Sequence, residues 1–577
     1  MLTLILKQYL HPYRWSVAIV AALLFAQAMA NLYLPNLNAD LINNGVAKGD
    51  IHYILHIGTI MLASSALVMG ASILVAYFAA KLAMAFGRDL RTAVFESVES
   101  FSARELNQFG APSLITRNTN DVQQVQMVLF MGLTMMLSAP ITGLGAIVMA
   151  VKTNLQLSGL LLVVVPVMGF LIWLLLRRVV PLFRVMQAKI DRINLVLREQ
   201  IAGVRVIRAF VKTDFEEGRF AESSADLMNT SLSVTRTFAL LFPMLMMILN
   251  LTSVAVLWFG GKLIDSGSMP IGNLTAFLSY IMLILSNLMM AVMMALMIPR
   301  AQASAERIQE VLSTQSSVID SLNPKTPNER TGRVTFTDVE FRYPGAEQPI
   351  LRNITFSAEP GEFTAIIGST GSGKTTLLNL IPRFIDATAG SITVDGVEVT
   401  EQSLESLWSD IGLVPQRALL FGGTIRSNLQ YGDSQASDDS FWKALEVAQA
   451  KEFVAAIPEQ LAAPVAQGGT NFSGGQRQRL AIARALVKRA KIYILDDSFS
   501  ALDYSTDAKL RSALEGHCQN STLIVVAQRV STILSADKII VLDQGEIVGM
   551  GKHHELMKGC ATYKEIVLSQ LSPEEAA

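Results

Sequence analysis

The sequence predicts a two-part chain, an all-α transmembrane domain of six long helices followed by an α/β domain organised around a phosphate-binding loop. Three observations predict it. Of the 577 residues, 51% are apolar and 16% charged, and the apolar excess lies almost entirely before residue 300. Six apolar stretches there reach the roughly 20 residues a helix needs to span a bilayer. Beyond residue 332, short apolar runs alternate with amphipathic stretches, as in an α/β fold. One of those runs leads into Gly368-Ser369-Thr370-Gly371-Ser372-Gly373-Lys374-Thr375-Thr376. The divisions read from composition are 1–305 (transmembrane), 306–332 (a linker carrying Asn323-Pro324-Lys325-Thr326-Pro327-Asn328) and 333–577 (soluble). A net charge of −1 argues against a nucleic-acid partner held by bulk electrostatics. Two cysteines, Cys518 and Cys560, are too few for a disulfide framework and fit a reducing cytosol.

The spans are expected near 15–37, 54–80, 127–151, 157–176, 238–260 and 274–298. Loop charge orients them. The segment between the second and third carries Lys81, Arg88, Arg91, Arg104 and Arg117, and the segment from Arg177 to Arg236 is denser still. The other three loops hold one lysine each: Lys48, Lys152 and Lys262. Positive charge stays inside, so both termini and the two long loops are expected in the cytoplasm, in a plasma membrane, with bacterial inner membrane the natural setting. A rival for the first span is a signal peptide cleaved after Ala26-Gln27-Ala28-Met29-Ala30, but the apolar run continues to Leu37, beyond a usual signal core.

The stretches 83–98 and 185–207 continue their spans without Pro or Gly clusters. They read as helices reaching far past the bilayer and turning near 110–112 and 210–215; independent amphipathic helices are the alternative. No Asp, Glu, Lys or Arg stands in the middle of a span, which argues against an ion-coupled carrier. Methionines crowd span six (Met282, Met289, Met290, Met293, Met294, Met297) and span five (Met244, Met246, Met247). They suit either a cavity for varied apolar cargo or plain interhelical and lipid-facing packing.

In the soluble half, a strand-like run from Phe363 to Ile367 precedes the glycine loop and a helix-like run follows it, the context that phosphate binding requires. Glycines let backbone N–H groups turn toward a phosphate, and the helix N-terminus favours its charge. Lys374 would reach the β- and γ-phosphates, and Thr375 would offer its hydroxyl to Mg²⁺. The loop predicts nucleoside triphosphate binding. Lys491 to Asp497 reads as a buried strand ending in two carboxylates, and Asp496 would be the second Mg²⁺ anchor. Asn471-Phe472-Ser473-Gly474-Gly475-Gln476 opens a further helix, so it is a second anion-binding arrangement. One nucleotide does not need two cradles unless the second serves a neighbour's.

With these motifs the chain resembles an ATP-binding cassette (ABC) half-transporter of the six-span exporter type, over essentially its whole length. The resemblance implies ATP and Mg²⁺ as ligands, with two cassettes clamping two ATPs head to tail. Tyr343 matches the aromatic that stacks on adenine, and residues 368–376 match the phosphate loop. Gln416 matches the glutamine that joins the metal and γ-phosphate and touches the membrane domain. Ser473, Gly474, Gly475 and Gln476 match the signature that closes over a partner's ATP, with Phe472 in place of the usual Leu. Asp503 ends the loop that faces across the dimer, and the turns near 111–113 and 210–214 match coupling helices.

Two positions depart from the family. Asp497 stands where the catalytic Glu is expected, with a carboxylate about 1.5 Å shorter in reach, one C–C bond. Gln528 stands where the switch histidine is expected, and a carboxamide cannot become imidazolium. Together they imply a site that binds ATP and hardly cleaves it. The expected partner is therefore a second half-transporter with Glu and His intact, in a membrane-lipid setting, exporting drugs, lipids or other hydrophobic cargo. An importer of lipid or siderophore-like cargo, a homodimeric exporter and an ATP-gated channel are the alternatives; the channel lacks the pore charges it would need.

Overall fold

In the computed structural model the chain is described over residues 1–572 and 574, with side chains for all of these but 175, 176, 180, 184, 238, 241, 242 and 291–296. It folds as two compact units, one of Met1–Glu99 and Pro112–Thr314, the other of Ser100–Ala111 and the chain from Gln315 onward. The division at 314/315 falls inside the stretch read as linker, because the helix begun at Ile271 persists to Ser313.

Among the described residues, six helical segments are long and apolar enough to cross a membrane: Leu2–Val46, Ile51–Glu99, Ala111–Thr153, Leu155–Ala209, Pro243–Asp265 and Ile271–Met290. Two of the helices run unbroken for 49 residues, Ile51–Glu99 and Leu161–Ala209. The polar stretches 83–98 and 185–207 are thus continuations of their spans, as the lack of helix breakers requires. Two of the breaks between helices are set by residues outside the helical region. Ser102 caps the short helix Ala103–Phe109, which ends at Gly110 with φ 73°; Val211, at φ 54°, separates Leu161–Ala209 from Thr213–Ala239.

Arg117–Asp121 is wound as a π turn and is tied to the last long helix. Asp121, nearly buried, accepts from Arg307 Nε at 2.8 Å and from Ser304 Oγ at 3.0 Å, while Arg117 donates to Glu310 at 2.7 Å. The core of this unit is made by Leu157, Met168, Phe277, Tyr280 and Ile281 with their neighbours. Of the methionines singled out in sequence, Met246, Met247 and Met282 are exposed, Met289 packs on the core and Met290 lines a cavity. The side chains of Met293 and Met294 lie outside the described residues.

The second unit contains a six-stranded sheet. Across it the strands run Glu546–Gly551, Lys538–Asp543, Phe363–Gly368, Thr522–Val526, Ile492–Asp496 and Ile411–Val414. All neighbours are parallel except the first pair. The three central strands read as continuous apolar runs because helices and a second sheet cover both faces. That second sheet is antiparallel, with Leu351–Ala358, Val334–Phe341, Ala389–Val394 and Val397–Glu398 in order. Cys518 and Cys560 are free and buried, and burial pushes the Cys518 thiol up to about 12, so it is inert.

Candidate functional site

Parallel register explains why motifs distant in sequence meet. Val526 is paired with Asp496 on one side and with Ile366 on the other. Gly368, Gln528, Asp497 and Gln416 therefore all leave the sheet at the same carboxyl edge, where α/β sheets bind ligands.

The phosphate loop leaves the strand Phe363–Gly368 and enters the helix Lys374–Leu380. Gly371 (φ 85°) and Gly373 (φ 98°) hold left-handed conformations. A Cβ on Gly368 would stand 2.0 Å from the Leu542 carbonyl oxygen, so glycine alone fits there. Lys374 Nζ donates to the carbonyls of Gly368 (2.9 Å) and Ser369 (2.7 Å) and to Ser372 Oγ (3.4 Å). Burial draws its pKa down, against the pull of Asp496 and Asp497. Thr370 is exposed at the tip of the loop, and Thr376 Oγ1 lies 3.2 Å from the Tyr343 hydroxyl. Tyr343 itself is partly exposed and packs edge-on against Phe341, 4.8 Å between ring centres.

Thr375 Oγ1 donates to Asp496 Oδ2 at 2.9 Å. A hydroxyl and a carboxylate brought to one point are the hard oxygen donors Mg²⁺ prefers. With the glycine cradle beside them, these residues fit a Mg²⁺–nucleotide: Thr375 and Asp496 for the metal, Lys374 and the loop amides for the phosphates. When bound, the metal would neutralise phosphate charge there. Desolvation raises the Asp496 pKa, and the neighbouring Asp497 charge adds to it.

Asp497 sits one residue further, nearly buried and at φ 48°. Its Oδ2 accepts from Gln528 Nε2 at 2.8 Å and, more weakly, from Gln416 Nε2 at 3.4 Å. Burial lifts its pKa, with the Gln416 amide opposing. Gln416, expected to share the metal, is thus seen on Asp497; no hydrogen bond among the described residues joins it to Thr375 or Asp496.

The signature opens a different helix. Ser473 caps the helix Gly474–Val487, accepting from Gln476 N while Gln476 Oε1 accepts from Ser473 N at 2.9 Å. Gly475 packs closely on the 501 backbone, where a Cβ would stand 3.0 Å from the Ala501 carbonyl oxygen. Ser473 and Gly474 are exposed, and no hydrogen bond among the described residues ties Ser473–Gln476 to 368–376. Asp503 caps the helix Tyr504–His517, and hydrogen bonds from Thr506 and Ser505 hold its carboxyl down at about 2.

Two residues were not foreseen from sequence. Arg529 donates to the carbonyls of Leu502 and Ser500, both at 3.1 Å, and lies over the Tyr504 ring at 5.1 Å. Gln570 bonds the backbone on either side of Arg529. Adjacency to Gln528 could have flagged Arg529; nothing in the sequence points to Gln570.

Comparison with known proteins agrees with this geometry. The profile of the ABC transporter transmembrane region matches residues 17–289, and that of the ABC transporter domain matches 351–500. An uncharacterized ABC transporter ATP-binding protein of Mycobacterium tuberculosis is 47% identical, covering 99% of this chain and 98% of its own. The ATP-dependent lipid A-core flippase of Chromobacterium violaceum is 31% identical over 97% of this chain and 96% of its own. The solved structure of a bacterial Atm1-family ABC exporter with ATP bound shares the fold, with a TM-score of 0.79 at 24% identity over 96% of this chain and 98% of that one. Since both the membrane half and the nucleotide half match at full length, the chain belongs to the ABC transporter family, as a six-span half-transporter.

Proposed function

We propose that this chain is the hydrolysis-poor half of a heterodimeric ABC exporter, and that its signature completes the working ATP site on a partner's phosphate loop. One observation carries the reading: the carboxylate at the general-base position, Asp497, is short and is held by two neutral carboxamides, Gln528 and Gln416. A general base must reach the proton it takes, and such catalysis contributes roughly 10²–10⁴-fold. A further loss, of order 10²–10³, is expected where a group that could stabilise developing charge is replaced by one that cannot ionise. The nearly regular signature, with Phe472 its one departure, argues that the chain still serves hydrolysis across the dimer. ATP and Mg²⁺ are the ligands of both sites.

The cargo we propose is hydrophobic or amphipathic, a drug or lipid, moved across a bacterial inner membrane with both termini cytoplasmic. The membrane unit holds a cavity of about 470 Å³ lined by Met135, Met136, Leu144, Ile147 and Met290, with Asn287 the polar exception. The flippase relative carries a lipid substrate in its name. The test is ATPase activity in lipid nanodiscs. The chain alone should show negligible turnover, and turnover should appear on pairing with a half-transporter that has Glu and His at the two positions. Brisk hydrolysis by the chain alone would sink the reading.

A further inference from the structure

The switch position is held from behind by the end of the chain. The helix Ala561–Leu568 is anchored by Tyr563 and Val567, both fully buried, and Tyr563 OH lies 2.8 Å from His553 Nδ1. It delivers Gln570 directly beneath the segment 528–530. There Gln570 Oε1 accepts from Val530 N at 2.8 Å, and Gln570 Nε2 donates to the Gln528 carbonyl at 2.8 Å. A carboxamide offers one acceptor and two donors in one plane, so it can bridge the C=O of one residue and the N–H two residues on, as a neighbouring strand would. The held segment sends its side chains two ways. Gln528 reaches Asp497 at 2.8 Å, and Arg529 reaches the carbonyls of Ser500 and Leu502. The strand Thr522–Val526 ends before this segment, and Arg529 is extended (φ −95°, ψ 126°), so the sheet ladder does not fix it.

We propose that Gln570 is a positioning residue of the nucleotide site. Its two-point hold on the 528–530 backbone keeps Gln528 aimed at the γ-phosphate end of this chain's ATP and Arg529 on the 500–502 loop. The C-terminal segment thereby sets how well the site tells ATP from ADP. This rests on the reading of Gln528 as the switch residue.

The test is the ratio of ADP to ATP dissociation constants of the full-length chain in nanodiscs with Mg²⁺, by titration of each nucleotide. Gln570→Ala should lower that ratio by about two- to tenfold, the range spanned by the net worth of one neutral hydrogen bond, with ADP affinity unchanged. Gln570 is exposed, so the melting temperature should fall only slightly, by the worth of its two hydrogen bonds. Gln570→Glu keeps the length and the bond from Val530 but sets a carboxylate against the Gln528 carbonyl, so its loss should equal or exceed that of alanine. Gln528→Ala is the reference. If Gln528→Ala loses discrimination and both Gln570 variants keep it, the proposal is overturned. If Gln528→Ala keeps it too, the assignment of the switch residue falls and the proposal with it. A fall in ATP and ADP affinity alike would mean general damage and also overturns it.

Discussion

In the proposed function, Asp497 and Gln528 limit what this nucleotide site can do. Changing Asp497 to Glu alone restores reach but leaves a carboxamide opposite, so ATPase activity of the chain alone should rise less than about tenfold. The double change with Gln528→His should recover about 10²-fold or more, since each group contributes at that scale; no gain in the double variant would refute the two-defect account. The same carboxylate has a stability signature. Burial raises Asp496 and Asp497 above the ordinary aspartate value of about 4. Above that pH the folded state keeps protons that the unfolded chain has released, so stability from these groups is greatest in acid and falls as pH climbs through the raised values. Asp497→Asn removes one such group and can still accept both carboxamides. Its melting temperature should exceed wild type at pH 7 and converge with it toward pH 4; a constant offset would contradict the burial argument.

Among elements, the phosphate loop and the π turn of the membrane unit make opposite demands. Gly373 combines a left-handed φ of 98° with a Cβ position 2.7 Å from Leu351 Cδ2. Gly373→Ala should cost about 1–3 kcal/mol, the scale of a residue forced into a rare backbone region, and should abolish ATP binding in a titration. The π turn Arg117–Asp121 depends on charge. Arg307→Ala leaves Asp121 buried with Ser304 alone, and should cost about 2–3 kcal/mol, short of the 3–5 kcal/mol for a fully buried pair because Arg307 is half exposed. Asp121→Asn keeps an acceptor and should cost only about 1 kcal/mol. Thermal unfolding in detergent checks the order; a larger loss from Asp121→Asn would reverse it.

For the whole molecule, the proposed division of labour between two cassettes predicts an asymmetry that one chain's variants can read. In the proposed heterodimer this chain's own nucleotide is held rather than cleaved, so Lys374→Ala should leave most ATPase turnover. Ser473→Ala should remove at least about 90% of it, because on the same proposal that hydroxyl serves the partner's nucleotide; equal losses would contradict the division. Six spans, the glycine loop and the carboxylate strand were legible in sequence because each is a local pattern. Span length follows from bilayer thickness, loop glycines from backbone reach, and a buried parallel strand from an unbroken apolar run. The two departures, Asp497 and Gln528, were equally plain, since a residue type at a motif position needs no coordinates. What only the tertiary structure decided is how these pieces face one another. Parallel register carries Gly368, Asp497, Gln416 and Gln528 to one sheet edge, where Gln416 bonds Asp497. Gln570 was invisible beforehand for the same reason: a side chain that bonds backbone 42 and 40 residues away leaves no periodic trace in the sequence, because any strand or loop offers the same N–H and C=O groups.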